Sequence, residues 1–186
     1  MDKRTLVEQA RRGDRDAFAV LARSAAARMD AAARLILRDP ELARDAVQEC
    51  LIRAWRDLPG LRDPERFDAW FHRLVVNAAI DEARRRQRRV VEVALTDVTP
   101  GLGSDAFALL ADRDALDRAL AGLAPEHRAL VVLHYYLGMP LPEAASSLGL
   151  SLGAAKSRLH RAMGTLRRTF VGDSADPSTP IPGGQA

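Results

Sequence analysis

Cysteine is almost missing from this 186-residue chain, and the single Cys50 excludes an intramolecular disulfide and fits a reducing compartment. Histidine is nearly as scarce. His72, His127, His134 and His160 are scattered, so no metal-ligand cluster arises at the usual spacing. Lysine occurs only at Lys3 and Lys156, which leaves the rest of the 28 basic side chains to arginine. No apolar run approaches the roughly 18–20 residues of a membrane span. The N-terminal stretch MDKRTLVEQARRGD also lacks the apolar core of a secretory signal. A Ser/His/Asp set, a Gly-rich phosphate loop and a metal motif are all lacking. These absences lead to the expectation of a cytoplasmic protein without membrane insertion that is not an enzyme, with no catalytic residues, no metal and no cofactor.

What is present is apolar content and unevenly placed charge. Hydrophobic residues make up 47% of the chain, enough to bury real cores, so disorder throughout is excluded. The formal net charge of +3 conceals its distribution. Residues 1–89 carry +5, residues 90–124 carry −4, residues 125–170 carry +4 and residues 171–186 carry −2. Two basic blocks are therefore separated by an acidic one, a pattern that directs attention to nucleic acid.

Apolar residues recur at three- and four-residue steps almost throughout Arg4 to Arg89, which predicts helices. Asp14 or Asp16 is placed to cap a second helix after the break at Arg12-Gly13. Leu42, Ala46, Val47, Cys50, Leu51, Ala54, Trp55 and Leu58 form one stripe, opened by Pro40 and stopped by Pro59-Gly60. A loop, LRDPERF, leads into the stripe Phe67, Trp70, Phe71, Leu74, Val75, Ala78. Periodicity fails between Val90 and about Asp112 and resumes from about Arg113 to Phe170. The tail GDSADPSTPIPGGQA has almost nothing to bury and reads as disordered. No β alternation of useful length occurs. The expected fold is all-α, with two small helical domains, 1–89 and 113–170, joined by a flexible acidic linker at 90–112 and followed by a disordered tail at 171–186.

Within the second block, PEAASSLGLSLGAAKSRLHRAM predicts a helix of about seven residues, a turn at Leu148-Gly149-Leu150 and a second helix starting at Ser151. This is a helix-turn-helix pattern, with glycine where the chain reverses and a capped second helix able to enter a major groove. Ser151 is the candidate cap. Leu152, Ala155, Leu159, Ala162 or Met163, and Leu166 share one face, leaving Gly153, Ala154, Lys156, Ser157, Arg158, His160 and Arg161 largely outward. Small residues permit close approach, and the donors suit phosphates and base edges. The competing reading is an amphipathic helix whose charges only face water.

The run LAPEHRALVVLHYYLGMPLPEAASSLGLSLGAAKSRLHRAM resembles the minus-35 reading domain of bacterial sigma factors of the extracytoplasmic-function (ECF) group. DPELARDAVQECLIRAWRDL and FDAWFHRLVVNAAIDEARRRQRR resemble that group's minus-10 reading domain, in the same order. The stretch Met139-Pro140-Leu141-Pro142 departs from the group, which usually has an unbroken helix start there. The resemblance implies core RNA polymerase as partner, through its β′ clamp and β flap. It also implies promoter DNA and an anti-sigma factor as further partners.

Asp45, Gln48 and Glu49 project away from the apolar stripe. The residues alone permit a solvated acidic face or a carboxylate pair, the latter without a nucleophile or pocket nearby; the resemblance implies docking on the β′ clamp. It further places capture of a flipped-out minus-10 base at the loop containing Arg62, Asp63, Arg66 and Phe67, with Asn77 and Asp81 facing the neighbouring strand. Phe67, Trp70 and Phe71 equally fit a core. Asp81 beside phosphate is repelled unless it orders an arginine or accepts from a base.

The stretch IDEARRRQRR puts five arginines into six positions. Cations suit a helix C-terminus, yet Arg84, Arg85 and Arg88 also follow Asn77 and Asp81 around one side, as phosphate-holding groups would. Two rival readings remain. An ordinary helix-turn-helix regulator leaves the first block without a purpose, and a helical adaptor leaves the arginine cluster and the turn unexplained.

Overall fold

A computed structural model describes the backbone of residues 2–93 and 110–173, with side chains described for 2–88 and 116–169. Most of the linker expected at 90–112 and of the tail expected at 171–186 lies outside the described residues. Among the described residues every regular element is helical: α1 Lys3–Arg11, α2 Arg15–Leu37, α3 Pro40–Asp57, α4 Phe67–Val93, α5 Leu110–Ala121, α6 Pro125–Val131, α7 Leu141–Ser147 and α8 Leu152–Asp173. Short 3-10 turns at Leu58–Gly60 and Pro64–Arg66 join α3 to α4, and a widened π-turn at Val132–Tyr136 continues α6.

The helix starts follow from side chains able to satisfy free amides. Asp14 caps α2, its Oδ1 accepting from the Asp16 and Ala17 amides at 3.0 Å each. Asp39 does the same for α3 at Glu41 and Leu42, with Pro40 in the first turn where no amide is needed. α2 stops at Arg38, which takes the left-handed conformation (φ 55°). α4 runs past the expected edge at residue 89 to Val93, and α5 begins at Leu110 rather than near 113. No glycine or proline interrupts the chain from Phe67 to Thr99, and Arg and Gln favour helix, so the loss of apolar periodicity does not end the helix there.

α4 packs on α2 and α3, and α1 closes the bundle over α2. Many of the buried positions at these crossings are alanine, including Ala32, Ala33, Ala43, Ala46, Ala54, Ala78 and Ala79. Larger side chains, Leu21, Met29, Ile36, Phe67 and Phe71 among them, fill the space between. The apolar cluster does not end with the first block. It continues through Leu130, Leu133, Leu137, Met139, Ala144 and Ala155, so α6 and the π-turn pack on α2 and α6 also meets α4. A satellite cluster of Ala119, Leu120, Leu123, Ala162 and Leu166 holds α5 to α8.

The seam between the blocks is also polar. Arg128 is only 8% exposed, and its Nε donates to the Ile36 carbonyl at 2.7 Å while Nη1 donates to the carbonyls of Leu123 (2.8 Å) and Leu120 (3.2 Å). Arg84 pairs with Glu126 at 3.2 Å, and Arg28 donates to the Tyr136 carbonyl at 3.1 Å.

The helix-turn-helix is formed by α7 and α8. α7 starts at Leu141 with Pro142 in its first turn, and Met139 is buried, so the Met139-Pro140 departure sets where that helix begins. Gly149 sits at φ 66° with nothing within 4 Å of the position a Cβ would take. Gly149→Ala is therefore expected to lose about 1 kcal/mol through conformation alone, whereas Gly153→Ala, inside α8 with equally open space, gains roughly 0.5–1 kcal/mol. Urea unfolding midpoints that move the same way in both variants would contradict this.

Candidate nucleic-acid and partner interfaces

α8 presents one side to the core through Ala155, Leu159, Ala162 and Leu166. Ser151 begins it as expected for a cap, its Oγ accepting from the Ala154 amide at 3.2 Å. Gly153, Lys156, Ser157, His160 and Arg161 are exposed, Ala154 and Arg158 are half-buried, and Arg158 turns toward α6. Leu152, assigned to the inner face by periodicity, is instead 41% exposed at the first position of α8, whereas Ala155 three residues on is fully buried. No acidic residue occurs between Ala144 and Gly172, so this face offers only donors and neutral groups. His127, near Arg158 and Arg161, is held below the ordinary imidazole range, first by burial and then by those cations.

On α3, Asp45 and Gln48 are exposed and Glu49 is half-buried. Ile52, one turn further along, is 58% exposed, an apolar side chain on an otherwise polar face that stripe counting leaves out. Cys50 faces the core, and burial pushes its thiol up to about 12, which removes it as a nucleophile at neutral pH. Trp55 meets Phe18 edge-on at 5.2 Å between ring centres.

The loop before α4 exposes Arg62, Asp63 and Arg66, and the Asp63 carboxylate accepts from the Glu65 amide at 3.0 Å. Phe67 corrects the sequence reading. It is 2% exposed and stacks on Phe71 at 5.4 Å, with the Lys3 ammonium 5.9 Å from its ring, so it anchors α4 in the core and offers no face to a base. Its place in the apolar stripe of α4 carried that signal, as the competing core reading recognised. Lys3 also pairs with Asp68, tying α1 to the start of α4.

Further along α4, Asn77 and Asp81 are half-buried and Arg84, Arg85 and Arg88 exposed. Arg84 pairs with Glu126, Arg85 with Glu82 at 3.2 Å and Arg86 with Asp39 at 3.1 Å. Asn77, Asp81 and Arg84 line a cleft of about 590 Å³ together with Arg53, Arg56 and Asp57 of α3, Glu126 of α6, Ser147 of α7 and Arg158 of α8. The structure thus brings three α4 candidates, Asn77, Asp81 and Arg84, and one α8 candidate, Arg158, to a single cleft, while Arg85 and Arg88 lie outside its lining and Asp45 and Gln48 are on a separate face. Arg53 was missed from sequence, although its four-residue step from Glu49 was visible; its approach to Asp81 was not. Arg128 and Glu126 were missed as well, because nothing local distinguishes them from solvated charges.

Among the described residues no group of His, Cys, Asp and Glu could hold a metal ion, and no helix is long and apolar enough to cross a membrane.

Comparison with known proteins gives two family matches, Sigma-70 region 2 over residues 21–89 and Sigma-70, region 4 over residues 113–166. The RNA polymerase sigma-E factor of Streptomyces avermitilis is 35% identical over 144 residues, covering 77% of this chain and 79% of that protein. The ECF RNA polymerase sigma factor SigM of Mycobacterium tuberculosis is 36% identical over 156 residues, covering 84% and 78%. Among solved structures, CnrH in complex with the cytosolic domain of CnrY is similar at TM-score 0.66 and 30% identity, covering 92% of this chain and 98% of that one. RpoE in complex with the anti-sigma factor NepR from Bartonella quintana has TM-score 0.69 at 23% identity, covering 84% and 98%, a likeness of fold.

Proposed function

The chain belongs to the ECF group of RNA polymerase sigma factors, and from that membership we infer how its surfaces divide the work. It recruits core RNA polymerase to promoters for transcription initiation, a non-catalytic role in which the polymerase forms the phosphodiester bonds. The division into surfaces is our reading. Residues 1–89 bind the polymerase clamp and the minus-10 element, residues 113–170 bind the minus-35 element and the β flap, and residues 90–112 join them.

The exposed Asp45 and Gln48 with Glu49 dock on the basic β′ clamp. Arg62, Asp63 and Arg66 in the loop, then Asn77, Asp81, Arg84, Arg85 and Arg88 on α4, receive the minus-10 strand. Ser151, Gly153, Ala154, Lys156, Ser157, Arg158, His160 and Arg161 enter the minus-35 major groove. The observation that carries this reading is the acid-free outward face of α8, capped by Ser151 directly after the Gly149 turn.

Elements with these names lie about 25 base pairs apart, roughly 85 Å along duplex DNA. Faces that share one cleft here must part for both to be read at once, so the second block leaves the first when the promoter is engaged. The two solved structures compared above are each in complex with another protein, named as an anti-sigma factor in one of them. An anti-sigma partner is accordingly part of the proposal, as is a cytoplasmic location, supported by work on promoter DNA and by the lone buried thiol.

The test is run-off transcription by bacterial core enzyme with the full chain, on promoters selected from a random-sequence DNA pool. The expected result is recovery of a shared two-element sequence and transcripts that depend on the added chain. A pool that shows no enrichment, with no complex formed on core enzyme, would overturn the reading.

A further inference from the structure

Arg53 stands between two surfaces with different partners. Its Nε donates to the Glu49 carboxylate at 2.7 Å, and its Nη1 lies 3.7 Å from the Asp81 carboxylate on α4. Glu49 belongs to the polymerase-facing side of α3 and Asp81 to the strand-facing side of α4. All three side chains reach solvent, at 31% for Arg53, 45% for Glu49 and 48% for Asp81, so a macromolecule can touch either carboxylate. A guanidinium carries five donors in a planar fork and can serve both at once. Its charge is secure: the hydrogen bond it donates to Glu49 is the largest influence and raises its affinity for the proton. Nearby cations are already committed, Arg56 to Asp57 at 2.8 Å and Arg84 to Glu126 at 3.2 Å.

Asp81 presents a problem for any strand-binding surface, because a bare carboxylate repels phosphate. The geometry answers it with Arg53. We propose that Arg53 is a positioning residue that couples polymerase docking to promoter engagement, by passing from Glu49 to Asp81 when a basic partner claims Glu49. In the free chain the stronger hydrogen bond is to Glu49, and Asp81 is only partly neutralised. A clamp cation that pairs with Glu49 weakens that hold, the guanidinium closes on Asp81, and the strand meets a neutral pair rather than a negative one. Because coupling is reciprocal, a strand bound beside Asp81 likewise frees Glu49 for the clamp. The inference rests on the division of surfaces proposed above and identifies what links two of them.

The experiment is a double-mutant cycle in the full chain, read as initial transcription rate with core enzyme on a promoter that the wild-type chain has selected from the random pool. Arg53→Met keeps the apolar stem and removes the charge. On the wild-type background it is expected to lower initiation about tenfold, and on the Asp81→Asn background less than about twofold, since the charge it served is gone. Equal losses on both backgrounds would overturn the proposal. Arg53→Lys, which keeps the cation, should retain more than about half the activity, and a loss matching that of Arg53→Met would remove charge as the cause. Affinity for core enzyme alone, measured by fluorescence competition, should not fall in Arg53→Met because Glu49 is released to the clamp; a fall of about tenfold would make Arg53 an ordinary docking residue. A wild-type chain that selects no promoter would be a failure of the proposed function and not of this coupling.

Discussion

Arg128→Ala is expected to destabilise the protein by about 3 kcal/mol, the largest loss from any single side chain outside the apolar core. The guanidinium serves three carbonyls from a site only 8% exposed. Ile36 lies at the end of α2, and the residue that would normally donate to its carbonyl four positions later is Pro40, which has no amide hydrogen. Arg128 supplies the missing donor, and its charge sits favourably at the negative end of the helix dipole. Removing it leaves that carbonyl and the Leu123 carbonyl without this partner in a closed seam, each at a cost of roughly 1–3 kcal/mol, offset in part by no longer burying a cation.

Burial and the neighbouring Arg38 push the guanidinium of Arg128 down to about 10, which still leaves it charged at neutral pH. Arg128→Lys should recover less than half of the loss, because one ammonium cannot reproduce the fork. Urea unfolding followed by circular dichroism measures both variants. A loss under about 1 kcal/mol for Arg128→Ala would mean that water enters the seam and replaces the donor.

Lys156→Glu is expected to weaken promoter binding by the polymerase complex about tenfold while leaving the unfolding midpoint in place. Lys156 is exposed on the second turn of α8, and no ion pair or hydrogen bond involves it among the described residues. Its replacement therefore removes nothing from the fold. It does place a carboxylate on a face that has no other acid from Ala144 to Gly172. If the side chain meets a phosphate, the slope of log affinity against log salt should also fall by about 0.9 for the lost contact. Filter binding or fluorescence anisotropy at several salt concentrations, on the selected promoter, gives both quantities. An unchanged affinity would move the groove-facing surface off this turn of α8.

The elements were readable in the chain because their causes are local. Asp14 and Ser151 stand where a side-chain oxygen can accept from amides two or three residues ahead, and those caps form, as does a third at Asp39 that was missed from sequence. Gly149 marks the turn because its positive φ is unfavourable for other residues. Spacing of apolar residues separated the packed face of α8 from the donor-bearing one, apart from Leu152 at the helix start. Helix boundaries were less readable: α4 passes its expected end because strong helix formers continue where the apolar stripe has stopped.

By itself, then, the sequence determined the all-helical class, the caps and turns, the helix-turn-helix and the family, since each is written in residues fewer than about five apart or in a motif read in order. Tertiary structure alone decided that Phe67 is core, that Arg53 reaches Asp81, that Arg84 meets Glu126 and that Arg128 closes α2. A helical stripe shows which face is to be covered but not by what. Charges on the opposite face read alike whether they end in water, in an ion pair or against the carbonyl of a distant helix. Only the packing of α2, α3, α4 and α6 separates those outcomes, because it fixes distances between residues that the chain places tens of positions apart.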